Sequence, residues 1–281
     1  MTSTAGILYL CATPVGNLED MTFRAVRVLK EADCIAAEDT RHTRKLLTHY
    51  DVHTPLVSYH EHNKQEQGPE LIARVAAGQT VVVVSDAGMP GISDPGTHLV
   101  QLAIEKGLQV VAVPGANAVL PALVGSGLDT THFTFIGFLP KTKKKRHELL
   151  QFLADHRYTL VFYESPHRLR SMLDELYLVF GDRPAVAARE LTKKFEEFVR
   201  SSVTGLINHF DTHQPRGEFT IIVEGAIARE QPPPSVAESP VEAVRRLIAE
   251  GINKKDAIRK VASEKNLSRR DVYQAVLADD D

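Results

Sequence analysis

Cysteine is scarce: Cys11 and Cys34 are the two in 281 residues. Both fall in apolar runs and read as buried strand residues. Two thiols provide neither a disulfide framework nor a metal-site spacing, which suits a reducing cytoplasm. Long hydrophobic runs are missing too. No window approaches the roughly 18 apolar residues of a membrane span. The opening stretch, MTSTAGILYLCATP, has neither the charged start nor the long apolar centre of a signal peptide. Neither sign of charge dominates, with 33 Lys and Arg against 36 Asp and Glu and a net charge of −3. No global field therefore draws the chain to nucleic acid or membrane, and any such contact must come from a local patch. Several nucleotide and hydrolase motifs are absent as well. There is no G-x-x-x-x-G-K-[ST], G-x-S-x-G or H-E-x-x-H, and the first strand is followed by P-V-G-N-L-E rather than G-x-G-x-x-G. His60, Glu61 and His62 alternate on a loop with no further ligand cluster and read as solvated surface, so no metal is expected. No solenoid-type repeat is present.

The informative stretch is 80–97, TVVVVSDAGMPGISDPGT. Four valines, Val81 to Val84, read as a strand buried on both faces. The strand ends in Ser85-Asp86 and then a loop dense in glycine and proline. In open α/β sheets, ligands sit in the crevice outside the carboxyl ends of the strands. Around this centre, strands are expected over 7–12, 34–37, 56–59 and 109–113. Helices are expected over 20–32 (with Asp20 as cap), 43–50, 69–77 and 97–106. The alternation predicts an α/β domain over 1–120 with a largely parallel sheet. A second α/β domain is expected over 121–228, with strands 133–139, 159–164, 184–190, 195–203 and 218–224 and helices 148–156, 167–180 and 204–210. Adjacent strands without an intervening helix predict antiparallel pairing there, hence a mixed sheet. The Pro-rich segment 229–240 reads as a linker. Three short helical patterns, 240–250, 254–264 and 268–278, then predict a small helix-turn-helix-like bundle over 241–281.

Strand-end loops rich in backbone donors, with few charged ends, suit a small polar cofactor such as a nucleoside with a zwitterionic tail. The segments SDAGMPGISDPG (85–96), TPVGNLEDMTFRA (13–25), AEDTRHT (37–43), VPGANA (113–118), YESPHR (163–168), ARELTKKFEE (188–197) and RGEFTIIVEG (216–225) occur in this order. Together they resemble the tetrapyrrole-methylase superfamily of S-adenosylmethionine-dependent methyltransferases, and within it the members that act on ribosomal RNA. The resemblance implies two α/β domains with the cofactor in the cleft between them, and a homodimer. It implies 2′-O-methylation of a cytidine ribose in the decoding region of small-subunit (16S) ribosomal RNA, met in the assembled 30S subunit. Carried over residue by residue, it places Pro14, Gly16, Asp86, Ala87, Gly88, Ile92, Ala116 and Asn117 at the cofactor, with Phe162, Leu191 and Thr220 around the adenine. Superfamily members that methylate tetrapyrroles show Gly-Asp-Pro at the central loop. Ser85-Asp86-Ala87 stands here instead, which argues against a corrin or porphyrin acceptor.

A ribose hydroxyl is a weak nucleophile, so a general base or a nearby cation is expected. Glu190 and Lys193, three residues apart, are the catalytic candidates; the alternative is a surface ion pair at a domain edge. Glu164 and Glu197 are further cleft carboxylates. Arg41 and Arg189 are candidate phosphate holders, although Asp39 and Arg41 could instead order a loop. Lys141, Lys143, Lys144, Lys145 and Arg146 form the strongest local basic cluster, either a phosphate-binding patch or a solvated face. The C-terminal module is either a nucleic-acid accessory or a docking bundle. Two other functional readings stand beside RNA methylation: methyl transfer to a tetrapyrrole or other small molecule, and a non-catalytic, cofactor-sensing RNA-binding protein.

Overall fold

A computed structural model of the chain describes residues 5–94, 96–227, 238–265 and 267–280. Most of the segment read as a linker, and Asn266 and Asp281 of the C-terminal module, lie outside the described residues. Two compact units are present, Met1–Ala226 and Ile227–Asp281.

The first unit contains two five-stranded sheets. The first sheet is built from β1 (Ile7–Cys11), β2 (Cys34–Ala37), β3 (Leu56–Ser58), β4 (Val81–Val84) and β5 (Gln109–Val113). Its order is β3-β2-β4-β1-β5, and all neighbours run parallel. β4 therefore lies at the centre, and all four valines are buried, as an apolar run between two helical layers requires. One face packs α1 (Phe23–Glu31) and α2 (Thr40–His49); the other packs α3 (Lys64–Ala76) and α4 (Gly96–Glu105). Each fully buried Leu, Ile or Val there contributes about 1.5–3 kcal/mol.

Several boundaries depart from the sequence expectation. Asp20 does not cap α1; it closes a short 3-10 turn, and Thr22 caps the helix by accepting from the Ala25 N–H at 3.1 Å. α2 starts at Thr40 because Asp39 accepts from the Arg41 N–H at 2.8 Å. α3 starts at Lys64, and Pro69, expected to open the helix, lies inside it.

The second sheet comprises β6 (Phe133–Phe138), β7 (Thr159–Glu164), β8 (Pro184–Arg189), β9 (Glu197–Ser202) and β10 (Phe219–Val223). Its order is β6-β7-β10-β8-β9, with β6 and β7 parallel and the other pairs antiparallel. α6 (Lys143–Leu153), α7 (Pro166–Phe180) and α8 (Val203–Thr212) cover one face. α5 (Val119–Ser126) packs on the other, so residue 120, where the first domain was expected to end, lies within a helix of the second layer. The helix expected over 148–156 starts earlier, at Lys143, so Lys143 to Arg146 of the basic cluster form the first turn of α6.

In the second unit, α9 (Pro240–Ala249), α10 (Lys254–Glu264) and α11 (Arg269–Asp280) enclose a small core around Val244, Leu247 and Val261. A capping box between Ser239 and Glu242 starts α9, and Asn253 caps α10. Among the described residues no helix is long and apolar enough to cross a membrane.

Candidate active site at the joined strand ends

The parallel order brings the carboxyl ends of β2, β4 and β1 side by side. Hydrogen bonds then fold the chain leaving β4 back over the sheet. Thr13 and Gly88 exchange both backbone hydrogen bonds at 2.9 Å. The Thr13 hydroxyl donates to the Ser85 carbonyl at 3.1 Å, and the Ser85 hydroxyl donates to the Gly88 carbonyl at 3.2 Å. Gly88 has φ +82°, a conformation that costs glycine little. Asp86 accepts from the Asp39 N–H at 3.0 Å, which fixes the end of β2 to the same loop. Asp94 accepts from Gly91 and Gly96 N–H, both at 2.7 Å, and closes the loop. Burial pushes the Asp94 carboxyl up; burial, reinforced by Asp86 and Asp94, also pushes up Glu38.

The second sheet supplies the opposite wall. The turn after β8 holds two non-glycine residues at positive φ, Glu190 (+48°) and Thr192 (+65°). Such residues cost about 1–3 kcal/mol each and persist only where surroundings over-determine them. Here the turn is held from four sides. The Glu190 N–H donates to the Glu218 carbonyl at 3.2 Å, and the Lys193 N–H to the Glu190 carbonyl at 3.0 Å. The Thr192 N–H donates to Glu196 at 2.6 Å, and the Asn17 N–H, from the first sheet's loop, to the Thr192 hydroxyl at 3.0 Å. A Cβ on Gly16 would collide with the Lys193 side chain, so the loop after β1 lies directly against this turn.

The turn presents a charged cluster. Lys193 Nζ lies 3.0 Å from Glu190 Oε1 and 3.3 Å from Glu218 Oε2. The Glu218 N–H also donates to Glu190 Oε1 at 3.2 Å. Partial burial pushes the Glu190 carboxyl up, but the bonds from Lys193 and the Glu218 N–H outweigh it and bring the group below the ordinary range. Partial burial pushes the Lys193 ammonium down, and the two carboxylates outweigh it and raise it. At neutral pH Glu190 is therefore a carboxylate held by the Lys193 ammonium.

Gly217 (φ +79°) packs against Glu190 so closely that an added Cβ would overlap its side chain. Gly217→Ala is expected to displace the Glu190 carboxylate and strain the backbone at once. The measurable outcome is at least a tenfold loss of turnover, with the stability loss seen separately by urea denaturation.

Between the walls lies a cavity of about 430 Å³. Of the predicted site residues, Asp86, Ala87, Gly88, Ile92, Asn117, Glu190, Leu191, Lys193 and Thr220 line it. Pro14 and Gly16 flank Val15, which lines it, and Ala116 lies beside Gly88 with its carbonyl facing that glycine. Phe162 is not part of the wall. Its side chain is fully buried in the core beneath α6 and α7, because strand alternation turns its neighbour Tyr163 to the cavity.

The predicted phosphate holders divide. Arg146 is 8% exposed and forms a bidentate pair with Glu175, at 2.6 and 2.5 Å, which removes it from any substrate patch. Arg189 pairs with Glu197 across β8 and β9 at 2.6 Å and is absent from the cavity wall. Arg41 folds back on Asp39 at 3.0 Å, and this bond, with the Arg41 N–H, holds the Asp39 carboxyl down at about 2. Lys141, Lys143, Lys144 and Lys145 are exposed.

The sequence reading missed Glu38, Phe138, Tyr163 and Glu218 as wall residues. The one available signal was Gly137, a glycine inside a strand pattern, which often marks a bulge. The wall carries Glu38, Asp86, Asp94, Glu164, Glu190 and Glu218, and Lys193 is the cation among its lining residues. A ligand with net positive charge fits such a wall, as does a sulfonium cofactor with an ammonium tail.

The family model for the tetrapyrrole (corrin/porphyrin) methylases matches residues 8–207. The chain is 51% identical over 270 residues to ribosomal RNA small subunit methyltransferase I of Halalkalibacterium halodurans, covering 95% of this chain and 93% of that one. It is 46% identical over 276 residues to the protein of the same name from Bacillus subtilis, covering 97% and 94%. Among solved structures, a cobalt precorrin-4 methyltransferase matches with TM-score 0.60 and 21% identity, over 78% of this chain and 94% of that one. The uroporphyrin-III C-methyltransferase of Thermus thermophilus, in complex with S-adenosylhomocysteine, matches with TM-score 0.55 and 22% identity, over 77% and 97%. At these identities the two structures establish the shared fold.

Proposed function

This chain belongs to the tetrapyrrole (corrin/porphyrin) methylases and, within them, to the ribosomal RNA small subunit methyltransferase I family, and we propose that it methylates the 2′-hydroxyl of a cytidine in the decoding region of 16S ribosomal RNA. The observation that carries the chemistry is the Glu190–Lys193–Glu218 cluster on the wall of an otherwise acidic cavity. S-adenosylmethionine, when bound, supplies a methyl group on a positively charged sulfur. Asp86, Ala87, Gly88, Ile92 and Asn117 would hold it from the first sheet, with Leu191 and Thr220 from the second.

Positioning supplies much of the acceleration in a displacement of this kind. Glu190 is ionised and accepts the proton of the ribose hydroxyl. Lys193 keeps that carboxylate ionised and oriented through its 3.0 Å bond to Oε1. The rigid turn over residues 190–193 fixes both groups against the loop after β1.

Phosphates belong outside this acidic wall. Lys143, Lys144 and Lys145 occupy the first turn of α6, the end of a helix where cations are disfavoured. Lys141 precedes them, and together they suit the RNA backbone. A small-molecule acceptor leaves these lysines without a role. Replacing Lys143, Lys144 and Lys145 by glutamate is expected to weaken binding to ribosomal RNA and to flatten its salt dependence by about one unit of log–log slope per lost phosphate contact. The same change places acids at a helix start, so thermal stability should hold or rise. Filter binding across a salt series and a melting curve check both.

The acceptor is the assembled 30S subunit and the enzyme is a cytoplasmic homodimer. Transfer of label from S-adenosylmethionine to 30S subunits and to naked 16S RNA, followed by alkaline hydrolysis, tests the reading. An alkali-resistant link at one cytidine, formed with 30S subunits, is the expected result. Cofactor binding with no label in either RNA contradicts it.

A further inference from the structure

We propose that Phe138 is the surface on which the base of the acceptor nucleotide stacks. This inference rests on the reading of the protein as an RNA ribose methyltransferase and adds a residue that recognises the target.

A register shift in β6 sets the direction of this ring. β6 pairs with β7 as Phe133 to Thr159, Thr134 to Leu160 and Phe135 to Val161. The ladder then resumes with Gly137 to Phe162 and Phe138 to Tyr163, so one residue is extra. Gly137 has φ +73° and lies against the Ser93 hydroxyl of the loop after β4. Without this bulge, alternation would set Phe138 opposite Glu164, on the side of Phe162 and the core under α6 and α7. With it, Phe138 shares a face with Phe135 and Tyr163. The rings confirm this, with centroids 4.9 Å apart for Phe135 and Tyr163 and 5.5 Å apart for Phe138 and Tyr163. Bulges beside active sites re-aim side chains in this way.

The re-aimed ring stays 55% exposed while lining the cavity. Leu191 and Thr220, on the same wall, are buried. A cofactor is enclosed at the buried part of such a cavity, and an acceptor enters from solvent at the exposed part. Charge supports the same orientation. Lys141 follows Phe138 by three residues, a span of about 10 Å at most. A nucleotide stacked on Phe138 therefore has its flanking phosphates near the exposed lysines. A nucleotide whose ribose must reach a recessed carboxylate leaves its stack, and an aromatic face offsets part of that loss without demanding a particular base.

The test uses the full-length protein with 30S subunits. Phe138→Ala is expected to lower kcat/KM for the subunit about 5- to 150-fold, mainly through KM, with S-adenosylmethionine affinity unchanged by calorimetry. Phe138→Trp restores the rate. Subunits reconstituted with an abasic ribose at the target position are expected to be poor acceptors for the wild type, while Phe138→Ala treats abasic and intact targets alike. If Phe138→Ala instead weakens cofactor binding and leaves KM for the subunit unchanged, the ring serves the adenine and the proposal fails. If neither changes while the wild type is active, the proposal fails alone. An inactive wild type removes the ribose-methylation reading itself, and this inference with it.

Discussion

Replacing Glu190 by glutamine is expected to lower methyl transfer to the small subunit about 10²- to 10⁴-fold, the usual range for loss of a positioned acid–base group. Cofactor affinity should change little, because the amide keeps the shape and can still meet the Glu218 N–H. The pH dependence provides an independent check. The folded Glu190 carboxyl is lowered from its ordinary value near 4.3. Its stabilising contribution is therefore complete above about pH 4.3 and is lost as pH falls through the lower, folded value. Lys193 is raised, so its contribution is complete below about pH 10.4 and is lost as pH rises through the folded value. The pair is thus intact between those limits, and the rate should show no titration of either group near neutrality. Lys193→Met leaves partial burial, the largest influence on Glu190 and an upward one, with less opposition. The acid limb of the rate profile should then move to higher pH. A limb that stays in place would show that Lys193 does not set the state of Glu190.

The second large effect concerns Arg146 and is one of stability. Its guanidinium is held by both oxygens of Glu175 and donates to the Pro140 and Lys141 carbonyls at 3.3 and 3.4 Å. The pair ties the start of α6 to α7. Removing one partner of a buried pair leaves the other charge desolvated and costs about 3–5 kcal/mol. Total stabilities are about 5–15 kcal/mol, so Arg146→Ala should remove about a fifth or more of the total. Lys145→Ala, one residue away and exposed, should stay within about 0.5 kcal/mol. Urea denaturation of the two variants measures the contrast. Glu175 is lowered chiefly by its bond to Arg146. Its contribution is accordingly present above the ordinary glutamate value and is lost as pH falls through the folded one. Equal, small effects of the two substitutions would return Arg146 to the surface patch.

These two cases show what the sequence makes legible. β4, the strand ends around Ser85-Asp86 and the proximity of Glu190 and Lys193 could be read because apolar runs, Gly/Pro clusters and short spacings are local signals. The antiparallel pairing of β8 with β9 followed from the missing helix between them. Arg146 could not be separated from Lys145, since only the docking of α7 places Glu175 beside one and water beside the other. Phe162 and Tyr163 were exchanged because a strand run such as TLVFYE does not disclose which face meets the cleft. Asp20 resembled a cap, yet Thr22 has its side chain within reach of a free N–H. Phe138 was hidden for a further reason: one inserted residue reverses the parity of a strand, and the glycine that permits it says nothing of which side chain is turned.

The most direct test of the account is a crystal structure with S-adenosylhomocysteine and a short cytidine-containing oligonucleotide. The account predicts the cofactor between the Asp86–Gly88 loop and the Leu191–Thr220 wall, with the acceptor ribose facing Glu190 and Lys193. A cofactor bound away from this cavity, or an acceptor ribose beyond the reach of Glu190, would contradict it.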